Sequence, residues 1–309
     1  MKKPELLVTP VTVKDIQPLI EAGADAFLIG EQRYGLRLAG EFSRSQVEQS
    51  IQLAHESGKK VYVAMNALFH NDKLDELGDY ILFLQSVGAD AVIFGDPSVL
   101  MTAREVAPDM RLHWNAEALV TNWYTSNYWG RKGAKRAVLS REINQDAILE
   151  IKENAEVEIE VQVHGMTNMF QSKRSLLGHY FEYQGKVMEI EDHKQERNMF
   201  LHDKERENKY PIFEDENGTH IMSPNDICVI DELQDMIEAG VDSFKIDGIL
   251  QSPEYILAVT KLYRQAIDTC VEDPDAYEDI KGELLEKIEE IQPTNRPLDT
   301  GFFFKESVY

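Results

Sequence analysis

Nine polar residues stand just after short apolar runs: Glu31, Asn66, Asp96, Asn115, Glu117, Arg141, Glu142, His164 and Asp247. Carboxylates, amides, a guanidinium and an imidazole brought to one place would bind a small anionic or polar ligand and move a proton on it. Arg141 or Arg37 can grip a carboxylate through two parallel N–H···O bonds, and Lys245 adds a further cation. His164 is the side chain that changes charge near neutral pH. Glu142, His164 and Asp247 are therefore the candidate catalytic groups, and Arg37, Asn66, Asn115, Arg141 and Lys245 the candidate ligand-binding groups. For any one of them alone, the ordinary alternative is a rim salt bridge or a capping contact.

A repeating frame is what would gather them. Apolar runs at 6–9, 26–30, 61–65, 91–94, 111–114, 136–139, 157–163 and 243–246 alternate with helical patterns, which makes eight strands. Parallel strands are buried on both faces and need covering helices, so the pattern predicts a (β/α)₈ TIM-like barrel whose chemistry sits at the carboxyl ends of the strands. An open doubly wound sheet is the alternative. The segment 23–30, Gly-Ala-Asp-Ala-Phe-Leu-Ile-Gly, recurs in related form at 88–95 and 240–246, each copy ending a helix at glycine and starting a strand.

The rhythm breaks once, between strands 7 and 8, where a long insertion at 165–225 is rich in charge, histidine and aromatic residues. Runs at 186–190 and 220–222 suggest short β elements there, and a cap over the barrel mouth is expected. The domain plan is barrel units 1–7 over 1–164, the insertion or cap over 165–225, the last barrel unit over 226–271, and an acidic amphipathic helix with a tail over 272–309.

With 32 basic and 55 acidic residues the net charge is −23, which excludes a strongly basic nucleic-acid binder. No apolar run is long enough for a membrane span, and the start Met-Lys-Lys-Pro-Glu lacks the pattern of a signal peptide, so a cytoplasmic protein is expected. Cys228 and Cys270 form neither a disulfide framework nor a CxxC metal site. The serine-elbow, zinc-helix, phosphate-loop and dinucleotide fingerprints are absent.

Residues 160–166, Glu-Val-Gln-Val-His-Gly-Met, followed by Ser-Lys-Arg-Ser-Leu-Leu at 172–177, resemble the signature of the collagenase-like peptidases, family U32. The stretches 23–30, 140–142, 211–219, 223–228, 240–248 and 263–268 agree with that family in order and spacing, and the chain is most similar to the shorter of two bacterial paralogues linked to tRNA uridine hydroxylation. Some members have been called proteases. Better-defined relatives hydroxylate RNA bases or quinone precursors with an iron–sulfur cluster, and bacterial tRNA members make 5-hydroxyuridine at the wobble position in a prephenate-dependent way. The resemblance places cluster cysteines at four positions, of which the first two here read Asn168 and Ser175, the third, near 195–198, has no cysteine, and only Cys228 remains. Asn and Ser do not replace thiolates on iron.

What this implies is a chain with no metal or cofactor of its own, prephenate as a candidate co-substrate, and a longer cluster-bearing paralogue as partner in a hetero-oligomer. tRNA would be bound weakly or through that partner, since phosphate contacts need clustered Lys and Arg and the bases of 173–210 are matched by equal acids. The reading is an accessory component of a tRNA hydroxylation system. The alternatives are a collagenase-like peptidase, whose carboxylate candidates would be Glu31, Asp96, Glu142 and Asp247, and a non-catalytic small-molecule-binding barrel.

Overall fold

A computed structural model describes residues 1–186, 199–205 and 207–306. Seven parallel strands follow in order: β1 (Glu5–Val8), β2 (Ala26–Ile29), β3 (Lys60–Met65), β4 (Ala91–Phe94), β5 (Leu112–Trp114), β6 (Ala134–Val138) and β7 (Glu158–Gly165). Then come β8 (Asn168–Ser172), β9 (Phe200–Asp203), β10 (Asn208–Asp215), β11 (Gly218–Met222), β12 (Asp226–Cys228), β13 (Ser243–Ile246) and β14 (Leu298–Asp299). Strands β1 to β7 pair in sequence, and β13 closes the ring by pairing in parallel with both β7 and β1. The result is the eight-stranded closed barrel expected from the apolar runs.

Helices α1 (Ile16–Glu21), α2 (Arg44–Glu56), α3 (Leu74–Ser86), α4 (Pro97–Val106), α5 (Trp123–Lys132) and α6 (Gln145–Asn154) each follow a barrel strand. After α7 (Leu176–Tyr183) in the insertion, α8 (Gln234–Glu238), α9 (Pro253–Glu272) and α10 (Pro274–Ile291) complete the chain. Their starts are written in the sequence: Asp96 caps α4 by accepting from Ser98 N with Pro97 at the first turn, Asn122 caps α5 through Thr125 N, and Ser252 caps α9 through Tyr255 N. The acidic helix α10 turns Tyr277, Leu284 and Ile288 inward, leaving its carboxylates to solvent.

Two kinds of core result. Outward-facing strand residues such as Leu6, Phe27, Val63, Phe94 and Phe244 pack under the helices in one continuous apolar layer. Inside the barrel the apolar layer is small, with Leu7, Ala26, Tyr62, Ala91 and Ile93 at its centre. Below it Arg136 lies between Glu5 at 2.7 Å and Glu160 at 3.1 Å.

The insertion folds as an antiparallel sheet in the order β8-β11-β10-β9 with α7 against it. The run at 220–222 lies in β11, whereas 187–190 falls outside the described residues. The sheet sits on the carboxyl ends of the barrel strands. Asn217 donates to the carbonyls of Gln32 and Gly35 after β2, Gln171 accepts from Arg37, and Met166 and Met222 pack on Ile249 after β13. The chain leaves the barrel at Gly165, whose φ is +104° and where a Cβ would lie 2.1 Å from the carbonyl oxygen of Asp247. Only glycine meets both demands. Gly165→Ala is expected to cost about 3 kcal/mol, read as a lower urea midpoint with an unchanged m-value.

Candidate functional site

At the carboxyl end of the barrel the side chains of two loops converge on Glu117, which stands in the loop after β5. Arg37, from the loop after β2, reaches Glu117 Oε1 at 2.6 Å, and Arg141, from the loop after β6, reaches Oε2 at 2.6 Å. Arg141 Nε also donates to Gln162 on β7 at 2.7 Å, and Gln162 in turn donates to the carbonyl of Met166. Lys245 and Asp247, from the end of β13, pair at 2.8 Å. Both Arg37 (φ +52°) and Glu117 (φ +53°) take the left-handed conformation, uncommon for residues with a Cβ, and they are bonded to each other. The strain is held by the surrounding bonds. Asn66 Oδ1 accepts from Leu36 N beside Arg37, and Asn115 Oδ1 accepts from the amide of Glu117 itself.

All of these except Gln162 line a narrow cavity with Thr9, Asn168 and Met222, and it counts three cations against two carboxylates. Burial works against the charge on Glu117, yet the adjacent Arg37 and Arg141 outweigh it and hold the carboxyl down to about 2. The lining of the cavity therefore carries one net positive charge. Beside it, sharing Glu117, Arg141 and Asn168, opens a cleft of about 470 Å³ walled by the cap residues Asn208 and Tyr210 and by Phe302 and Lys305 of the tail. The tail is tied down by Arg296, which pairs with buried Asp226 at 2.6 Å, and by β14 on β12.

Of the residues chosen from sequence, Arg37, Asn66, Asn115, Arg141, Lys245 and Asp247 meet at the cavity. Glu142 is exposed and lines the cleft. His164 lies elsewhere: its Nε2 is 2.7 Å from Tyr255 OH, and its ring packs against Tyr255 and Tyr263 of α9, outside the barrel. Burial lowers its pKa to about 4, so it is neutral at physiological pH, and it lines neither the cavity nor the cleft beside it. Asp96 serves as the α4 cap, and Glu31 pairs with Arg44. Gln162, missed in the sequence, was signalled by Glu160 and Gln162 alternating with apolar residues in a barrel strand. Glu117 was among the mouth residues but not among the chosen groups, and the structure makes it the hub.

The sequence profile of Peptidase family U32 matches residues 11–308. The chain belongs to peptidase family U32. It is 70% identical over 309 residues to tRNA hydroxylation protein P2 of Bacillus subtilis (strain 168), covering all of both chains. With tRNA hydroxylation protein P1 of the same organism it shares 32% identity over 303 residues, which is 98% of this chain and 71% of that longer one. A solved U32 peptidase superposes with a TM-score of 0.51 at 14% identity, covering 80% of this chain and 94% of that one, a likeness of fold.

Three of the positions that the resemblance assigns to cluster cysteines lie in different parts of the structure. Asn168 lines the cavity with its Oδ1 buried and unbonded, Ser175 precedes α7 in the cap, and Cys228 is buried on β12 with Sγ 3.7 Å from Tyr263 OH. Burial pushes the Cys228 thiol up to about 11. The remaining position, near 195–198, lies outside the described residues. An amide, a hydroxyl and a protonated thiol, divided among cavity, cap and outer wall, do not fit an iron–sulfur cluster. Among the described residues no group of three or more His, Cys, Asp or Glu side chains is placed to hold a metal ion.

Two outcomes follow for stability. Glu117→Gln leaves two guanidinium groups without their shared anion and costs about 2 kcal/mol, reduced from a fully buried pair because 31% of the side chain meets solvent; urea unfolding at neutral pH measures it. For His164, the folded value of about 4 lies below the ordinary 6.5, so between those pH values the unfolded chain binds a proton that the folded chain does not. Stability therefore falls as pH drops through that window, and His164→Gln flattens this part of the urea-midpoint curve.

Proposed function

We propose that this U32 chain is the cluster-free component of a tRNA hydroxylation system, acting beside a longer paralogue that holds the redox centre. Support comes from the 70% identity to a tRNA hydroxylation protein over the full length of both chains. The observation that carries the mechanistic part is the Arg37–Glu117–Arg141 bridge in a cavity with excess positive charge. Among the described residues Arg141 uses Nε and Nη1 internally, which leaves Nη2 for a ligand carboxylate at the point where cavity and cleft meet. A dicarboxylate such as prephenate suits that arrangement, with Lys245 as second cation and Asp247 orienting it. Glu142, exposed in the cleft wall, is the group placed to exchange a proton with an occupant there.

The longer paralogue supplies what this chain lacks, the thiolate ligands, and the two chains form a hetero-oligomer; the occurrence of proteins named P1 and P2 in one bacterium supports this reading. The working place is the cytoplasm, where tRNA is modified, and among the described residues no helix is long and apolar enough to cross a membrane. The peptidase reading rests on the family's name. Among the described residues none of the hydroxyls that line the cavity and cleft, those of Thr9, Ser140, Thr167, Tyr210 and Ser223, is bonded to a histidine, lysine or carboxylate. A purely ligand-binding barrel without a role in tRNA modification has no particular observation in its favour.

Deleting the gene is expected to remove most 5-hydroxyuridine-derived modification at the wobble base, read by mass spectrometry of digested tRNA. Arg141→Ala is expected to fold normally and fail to restore it. Wild-type modification in the deletion strain, with every paralogue accounted for, overturns the reading and brings peptidase activity on collagen peptides to the front.

A further inference from the structure

In a chain of net charge −23, one stretch reverses the local sign. The sequence Gly130-Arg131-Lys132-Gly133-Ala134-Lys135-Arg136 runs from the end of α5 into β6. Arg136 turns into the barrel, while Arg131, Lys132 and Lys135 stay exposed. Arg104, from the end of α4, joins them: a Cβ on Gly133 would lie 2.3 Å from its Nη2, so its guanidinium lies against the glycine that ends α5. None of these four cations has an ion-pair partner among the described residues. The helix dipole favours Arg131 and Lys132 in the last turn of α5 and Arg104 in the last turn of α4, but Lys135 lies beyond the helix, on β6, and four cations exceed what capping two helices asks for.

The same helix carries a second kind of group. Tyr124 and Tyr128 are 66% and 45% exposed, although each could have been a small polar residue at a solvent-facing position. They stand eight and four residues before Lys132, on one face of α5, and Lys132 Nζ lies 5.5 Å from the centre of the Tyr128 ring. Helix α5 begins just past Glu117 and Leu119, at the barrel mouth, and ends at the basic cluster. Its ten residues span about 15 Å, the length of about four stacked nucleotides.

The geometry points to a track for single-stranded RNA along the outer face of α5, with bases stacked on Tyr124 and Tyr128 and phosphates passing over Arg104, Arg131, Lys132 and Lys135 on the way to or from the mouth. This rests on the tRNA reading above and adds the surface by which the chain itself touches RNA. Aromatic rings followed by unpaired cations are what an unpaired strand requires, since every base has a face to stack and every phosphate a charge to neutralise. The net charge keeps the overall affinity low, and the track makes the contact local and strongly salt-dependent.

The test is fluorescence anisotropy with a synthetic tRNA anticodon stem-loop and a blunt RNA duplex, using the full chain alone and with the longer paralogue. Tyr124→Ala with Tyr128→Ala is expected to weaken stem-loop binding about tenfold or more while leaving the duplex unaffected. Lys132→Glu with Lys135→Glu is expected to lower the slope of log affinity against log salt by about 0.7 for each phosphate no longer neutralised. Matching melting curves show that these exposed changes leave the fold intact. Unchanged affinity and salt slope in both variants overturn the track. So does loss of the longer paralogue from the purified complex with RNA binding retained, which marks the face as a protein interface. If the deletion strain keeps normal wobble modification while the variants still lose stem-loop binding, the track stands and only the hydroxylation reading falls.

Discussion

Charge inside a closed parallel barrel is tolerable only where each ion meets its opposite, and this constraint organises the molecule from base to mouth. At the base Arg136 is clamped by Glu5 and Glu160; at the mouth Glu117 is clamped by Arg37 and Arg141. Between them lies only a thin apolar layer. The two clamps differ in what they leave over. The lower clamp sets one guanidinium between two carboxylates, with burial raising the pKa of Glu160, whereas the cavity at the upper clamp is lined by three cations and two carboxylates. An anion entering the barrel is drawn to the upper clamp, and the lower clamp, buried inside the ring, offers it nothing.

The upper clamp also fixes backbone. Arg37 and Glu117 occupy conformations that their side chains disfavour, and each is the anchor of the other. Asn66 and Asn115 hold the adjoining amides, so residues that look like ligand contacts in the sequence act through the loops that present the arginine and the glutamate. Pre-organisation of this kind lowers the entropy lost when a ligand carboxylate is bound.

The barrel was legible because parallel strands buried on both faces write themselves as apolar runs, and even β5, only three residues long, is visible between helical patterns. The mouth residues were legible as a set, since a strand's end places its next residue at the rim. His164 was misread for a definite reason. Where Gln162 pairs with Lys245 and His164 with Ile246, Val163 is an extra residue, and this bulge breaks the alternation that would have kept the imidazole facing inward. The hub role of Glu117 was not legible, because it depends on two left-handed residues eighty positions apart in sequence meeting across the mouth. Total charge concealed the sign of one helix end, as a sum over the chain carries no positions.

The cap has its own topology. It departs at Thr167 and returns at Ser223, and these two residues are hydrogen-bonded to each other in both directions, Ser223 N to Thr167 O at 2.8 Å and Thr167 N to Ser223 Oγ at 3.0 Å. Just beyond them β12 runs antiparallel to β7, pairing Ile227 with Gly165, while the barrel seam between β7 and β13 closes without any help from the excursion. Entry and exit therefore share one rung of a ladder. Lengthening or shortening the excursion costs only the slow logarithm of loop closure, about 0.6 kcal/mol per doubling, and its amides can exchange with solvent by a local opening that leaves the ring of strands protected. A barrel built this way can change what covers its mouth over evolutionary time without renegotiating its core.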